Sequence, residues 1–365
     1  MKTLAFTFAV ALAASTAVAA AQDFKAEWAK TLAAAEKEGE LIFQSQPNQG
    51  ARDFLQREWA KAFPKITLQM NVTPTPQFLA RIRTERQAEK YLWDVALAGF
   101  TIGYPAAHEG MLDPVLPEII DPSIKNPALW GGWETAFVDL QHKYVLATSK
   151  FIAGPWYDAL KIPPAKVEKE KLKTLLDPEY SGKTVWHDPG MPGSGTAVAL
   201  MLRALIGDEA LKTLVIDRRV QMVPQQPQVI EAMARGTAWM ALGPPVRPLM
   251  APYVQAGVKT DIRPFGNGPD VNMESIGGST LFVFNKRPHP NATRVFVNWL
   301  LTHDVQEGFA KAIQQSSRRA DVASVAEPDQ TPIPGVKYLH TQWEEDQQKM
   351  DDAVKLVSEW HKQVK

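Results

Sequence analysis

Apolar residues recur along most of this chain in two alternating rhythms. Between residues 24 and 37, Trp28, Leu32 and Ala35 fall at three- and four-residue steps, the spacing of one helix face. Glu38-Gly39 closes that pattern, and Glu40-Leu41-Ile42-Phe43-Gln44-Ser45 predicts a buried strand. The alternation continues with a helix over 52–62, stopped by Pro64, a strand over 66–72, a helix over 77–90 and a strand over 93–98. Leu112 to Pro127 is Pro-rich and predicts a surface crossing, and His142 to Thr148 reads as a strand. A second series begins near Pro163: strand 184–187, helix 195–206, strand 220–223, helix 229–234, strand 239–242, strand 279–285 and helix 290–301. Beyond Asp321 the chain is polar and Pro-bearing until a closing amphipathic helix over about 341–363. Strands alternating with helices predict an α/β fold with a largely parallel sheet.

The first 21 residues stand apart. Lys2 precedes an uncharged apolar run from Leu4 to Ala14, and small residues follow at Ala17, Ala19 and Ala21. This is the pattern of a secretory signal peptide over 1–21, with cleavage expected near Ala20 or Gln22. The apolar run is shorter than the roughly 20 residues a spanning helix needs. With no Cys in the chain to take a lipid, the expected product is soluble and periplasmic. The same absence excludes disulfides, thiolate metal sites and cysteine nucleophiles. The length suggests two domains held by their own cores. Charge is balanced at 40 basic and 40 acidic residues, and loss of the leader removes only Lys2. No broad field therefore points to nucleic acid or to an anionic membrane.

Catalytic and metal motifs are missing. The seven His form no H-x-x-x-H or H-E-x-x-H pair. Gly190-Met191-Pro192-Gly193-Ser194-Gly195-Thr196 has the look of a phosphate loop, but Thr196 stands where the Lys is needed. It is not a nucleophile elbow either, because Pro192 occupies the place of the first Gly. The segment has another use. Ser194, Gly195 and Thr196 open an apolar helical run, and a helix N-terminus offers unpaired N–H groups and a partial positive charge to an anion. The plain alternative is an ordinary N-cap in which a hydroxyl serves its own helix.

Other candidates follow predicted strands, where open α/β sheets bind ligands. Ser45 and Gln46 follow the first strand, and Gly99, Phe100 and Thr101 follow the strand ending at Ala98. Each is equally readable as a solvated turn. Arg247, set between prolines after the 239–242 strand, can offer a fork to an anion or lie on the surface. Trp130, Trp133, Trp156 and Tyr157 form an aromatic group that lines a pocket or fills core.

Several segments, taken in order, resemble the solute-binding proteins of ABC transporters of the ferric-iron-binding type. They are Trp28 to Glu40, Leu79 to Val95, Leu176-Asp177-Pro178-Glu179-Tyr180-Ser181-Gly182-Lys183, His289-Pro290-Asn291-Ala292 with Phe296 to Leu301, and Ser317 to Val322. The resemblance implies an α/β fold of two lobes with a ligand cleft between them and two hinge crossovers, near Tyr144–Ser149 and Gly277–Phe282. It divides the chain into a first lobe of 22–144 plus 277–322, a second lobe of 145–276 and a C-terminal segment of 323–365. It implies a monomer that hands a small ligand to a permease and its ATPase, with no cofactor and no enzyme activity. Iron-carrying members use adjacent tyrosines after the strand matching 239–242. Here Gly243-Pro244-Pro245-Val246-Arg247 stands there, and Tyr253 is alone. The expected ligand is a small organic anion. The alternatives are a ferric-iron carrier and, behind it, an exported hydrolase.

Overall fold

A computed structural model describes residues 23–364, apart from Gln46, Pro47, Pro74, Pro192 and Pro334. The expected signal peptide and the candidate Gln46 lie outside the described residues. The described residues form two compact α/β units, one within 23–149 and 278–325, the other within 150–277 and 326–364. The chain therefore passes between units three times, the last passage carrying residues 326–365 into the second unit.

The first unit is built on a sheet in the order Thr67–Asn71, Glu40–Ser45, Val95–Ala98, Thr280–Phe284, Leu112–Asp113. The first three strands are parallel, and Thr280–Phe284 enters antiparallel between Val95–Ala98 and Leu112–Asp113. Every residue of Thr280–Phe284 is buried, as expected of a central strand covered on both faces. Phe43 from the sheet meets Phe296 of the helix Pro290–Leu300 at 5.0 Å between ring centres, and Trp59 packs against Phe296 and Trp299 at 5.5 and 5.3 Å. The Trp59 indole N–H donates to the Ile66 carbonyl at 2.7 Å, so its polar edge is satisfied inside the core.

Most predicted elements are present with shifted ends. The helix expected from 52 spans Gln49–Ala62 because the Asn48 side chain accepts from Ala51 N and starts it early. The strand expected over 142–148 shrinks to Leu146–Ala147, because Asp139 draws the chain into a turn by accepting from Lys143, Tyr144 and Val145 N–H. The helix His303–Ile313 had no counterpart in the pattern reading. Its buried positions Gln306, Phe309, Ala310 and Ile313 do fall at three- and four-residue steps, but Gln306 and the small Ala310 blur the stripe.

The second unit has a sheet in the order Ile262–Pro264, Trp156–Asp158, Met240–Leu242, Thr184–His187, Gln221–Val223. The last three are parallel and lead into helices. The longest helix, Ser194–Ile216, is broken at Gly207 (φ 79, ψ 166), one residue past the end the sequence predicts. Gln347–His361 packs along it, closing the unit with the C-terminal part of the chain. The preceding segment is tied in by Leu339–His340, which pairs with Met273–Ser275, and by Gln342, whose side-chain oxygen accepts from Ser275 Oγ and Ile276 N–H.

Candidate functional site

In the second unit the parallel pairing Val185↔Ala241 and Trp186↔Leu242 brings two strand ends out side by side. His187 ends one strand and Gly243 follows the other. The helix Ser194–Ile216 starts against both. Gly195 is dictated by this closeness, since a Cβ there would overlap the carbonyl oxygen of His187. Gly243 sits at φ 115, a conformation that side-chain-bearing residues rarely adopt. A Cβ on it would stand 3.1 Å from Ser194 Oγ and 3.4 Å from the Gly195 nitrogen. Neither His187 nor Gly243 was singled out from the sequence. The signal available was their position at the ends of predicted strands.

The hydroxyls are committed within the loop. Ser194 Oγ lies 3.1 Å from His187 Nδ1, and Thr196 Oγ1 is within hydrogen-bond reach of the Pro189 and Met191 carbonyls at 3.1 and 3.2 Å. Neither caps the helix, whose N-cap is Gly193 without a side-chain bond. The ordinary-cap alternative is therefore not what the chain does. Among the described residues, nothing accepts from the backbone N–H groups of Ser194, Gly195 and Thr196. His187 is buried, and that burial lowers its pKa, so its imidazole is neutral at neutral pH.

Arg247 lies at the start of the helix Val246–Gln255 in the same unit. Its fork is already filled. Nη1 and Nη2 pair with Asp329 at 3.0 and 2.6 Å, Nε donates to the Ile262 carbonyl at 3.0 Å, and the guanidinium lies 5.5 Å from the Trp156 ring centre. In this structure the fork is taken by Asp329, a residue far along the chain that no local pattern could name as the partner of Arg247.

The first unit shows a smaller version of the same edge. Ser45 ends its strand and is buried. Gly99 is the N-cap of the helix Phe100–His108, its carbonyl accepts from Ile102 N–H at 3.0 Å, and Thr101 stands in the first turn. Among the described residues, nothing accepts from the Phe100 and Thr101 N–H groups. The Phe100 ring is buried, 5.3 Å from the ring of Tyr104. The residue missed here is Gln44. Its amide N–H donates to the Ser45 and Thr73 carbonyls, while its buried Oε1 has no hydrogen-bond partner among the described residues. A Gln interrupting the apolar run Leu41 to Phe43 was the available signal. The four aromatics do not form one group. Trp130 and Trp133 stack in the first unit at 6.2 Å, whereas Trp156 and Tyr157 form a buried strand of the second.

Among the described residues no group of three or more His, Asp or Glu stands close enough to hold a metal ion. No helix among them is long and apolar enough to cross a membrane.

These two units define the class of fold: the two-lobed fold of the periplasmic binding proteins of ABC transporters. Iron-bound HitA from Pseudomonas aeruginosa superposes with a TM-score of 0.67 at 16% identity, covering 88% of this chain and 99% of that one. AfuA from Actinobacillus pleuropneumoniae, solved with fructose-6-phosphate, gives a TM-score of 0.61 at 16% identity over 89% of this chain and 98% of its own. AgtB from A. tumefaciens R10, in complex with agropinic acid, gives 0.58 at 17% identity over 89% and 98%. No family model and no curated protein matches the sequence.

Proposed function

We propose that the chain is the exported solute-binding component of an ABC importer and that it captures a small organic anion. The observation that carries this reading is the open helix terminus of the second unit. Three backbone N–H groups, of Ser194, Gly195 and Thr196, stand unspent where two parallel strands end. Gly243 keeps the space before Ser194 and the Gly195 nitrogen free of a side chain. A helix N-terminus favours an anion by about 0.3–1 kcal/mol when exposed and up to about 2 when partly buried. Hydrogen bonds to a charged group add about 1.5–3 kcal/mol each before the costs of association. The fold supports a binding role, and two proteins of the same fold were solved with anionic organic solutes. Delivery to a permease and its ATPase, and export by residues 1–21, belong to the same proposal.

The test is a thermal-shift and calorimetry panel of phosphorylated, sulfonated and carboxylated solutes beside amines and ferric salts. An anion should raise the melting temperature, since ligand at about 100 times its Kd stabilises by about 2.7 kcal/mol. Stabilisation by an amine alone would overturn the anionic reading. The Ser194–His187 contact has the nucleophile and the base of a catalytic triad, which is the observation behind a hydrolase reading. No carboxylate among the described residues hydrogen-bonds the imidazole to orient it. A fluorophosphonate probe is expected to leave Ser194 unlabelled. Covalent labelling that is lost in Ser194→Ala would establish the hydrolase instead.

A further inference from the structure

We infer that a second anion site lies in the first unit, around Tyr91, and that it takes a small solute carrying two or more carboxylate or phosphate oxygens. An open cavity of about 390 Å³ is formed there by the end of the helix Thr75–Gln87, the loop after the helix Phe100–His108 and the turn at Asn285-Lys286. None of the residues predicted to bind ligand lines it.

Two of its cations lack a carboxylate hydrogen-bond partner among the described residues. Arg86 donates to Asn285 Oδ1 and to the Met111 and Asn285 carbonyls at 2.7, 3.0 and 3.2 Å, all of them neutral acceptors. Among the described residues, Lys286 Nζ reaches only the Tyr91 hydroxyl, at 3.0 Å. Glu109 also lines the cavity, but both its oxygens are held by Arg83. Nearby Arg81 and Arg287 have carboxylate partners of their own. Among the described residues, Arg86 and Lys286 have none. The two cations stand beside one aromatic ring, at 5.3 and 4.5 Å from the Tyr91 centre.

Two features suit a ligand. Half-burial removes water from Arg86 and lowers its pKa; Tyr91 and Asp113 oppose this only through space, Asp113 being paired with Arg287, and a bound oxyanion supplies a direct partner. Lys286 is held at φ 54, a left-handed backbone that glycine adopts more freely, and this turn keeps its ammonium at the cavity. A planar guanidinium and a mobile ammonium together match the separated oxygens of a doubly charged solute.

The probe is inorganic phosphate at about pH 8, where it is largely divalent, titrated into the full chain at low ionic strength and followed by backbone amide NMR shifts. Shifts at 109–111 and 285–286 report this site, and shifts at 194–196 report the other. Lys286→Gly relieves the backbone and removes the ammonium. It should keep or raise the melting temperature while weakening phosphate at 285–286 by about tenfold or more. Glu109→Gln releases Arg83 and should strengthen binding. Lys311→Ala, the removal of a cation elsewhere in the same unit, should leave it unchanged. The inference is overturned by the absence of shifts at 285–286 up to about 10 mM phosphate, a bound of roughly 3 kcal/mol. It is equally overturned if Lys311→Ala weakens binding as much as Lys286→Gly, which would reduce the effect to net charge.

Discussion

His187 ends a strand with its ring buried, and burial depresses its pKa below the ordinary 6.5. The sign of the stability effect follows. Above about pH 6.5 the imidazole is neutral in both native and unfolded chains. Below that, the unfolded chain takes a proton that the native site resists, so stability is lost as pH falls toward the folded pKa. Unfolding free energy measured between about pH 7 and 5 should fall more steeply for the parent than for His187→Asn. Equal slopes would show that His187 protonates as freely in the native protein. Gly243→Ala tests the same corner by shape. It costs about 1–3 kcal/mol in backbone strain and sets a methyl 3.1 Å from Ser194 Oγ. Anion affinity should fall in calorimetry even at temperatures where the variant is fully folded.

At the scale of elements, Arg247 and Asp329 tie the helix Val246–Gln255 to the segment 326–331. The pair is partly exposed, which limits it to about 0.2–1 kcal/mol, and the bond to the Ile262 carbonyl adds a similar amount. Arg247→Ala should lower the melting temperature by a few degrees and change anion affinity less than threefold by the same reckoning. A loss of tenfold or more in affinity with an unchanged melting temperature would make Arg247 a ligand group after all. The helix Gln347–His361 makes a larger contribution. It buries Met350, Ala353 and Val357 and packs along Ser194–Ile216, the helix that presents the candidate donors. Truncation after residue 346 should therefore destabilise the second unit by several kcal/mol, at about 1.5–3 for each large buried side chain, and weaken the anion through it. Hydrogen exchange restricted to 194–216 would show this, and unchanged protection there would refute the coupling.

For the whole molecule, the ligand of the proposed binding role is what the fold leaves widest open. Neighbours of the same architecture were solved with iron, with a sugar phosphate and with agropinic acid. Tyr253, which follows the 240–242 strand with no adjacent tyrosine, packs against the core cluster of the second unit. Adding ferric citrate should produce no visible charge-transfer band. A band that disappears in Tyr253→Phe would return iron to first place among the candidates.

Local patterning was enough for most of the alternation of strands and helices, though not for His303–Ile313, because burial of one face writes itself into every third, fourth or second residue. It yielded Thr184–His187 at its observed ends and placed the break after Ile206 within one residue of Gly207. It also singled out Ser194, Gly195 and Thr196, since a glycine between hydroxyls ahead of an apolar run is a local signal. Their roles were not local. Gly195 is glycine because the His187 carbonyl occupies the space of a side chain, and the hydroxyls are committed to His187, Pro189 and Met191. What is left for a ligand is the backbone. Gln44 was hidden inside a strand, and Arg247 looked free until residues 326–331 folded back and gave it Asp329. Periodicity reports how each residue meets its own element. Which donors are already spent, and which remain open, depends on partners brought together only when distant segments pack.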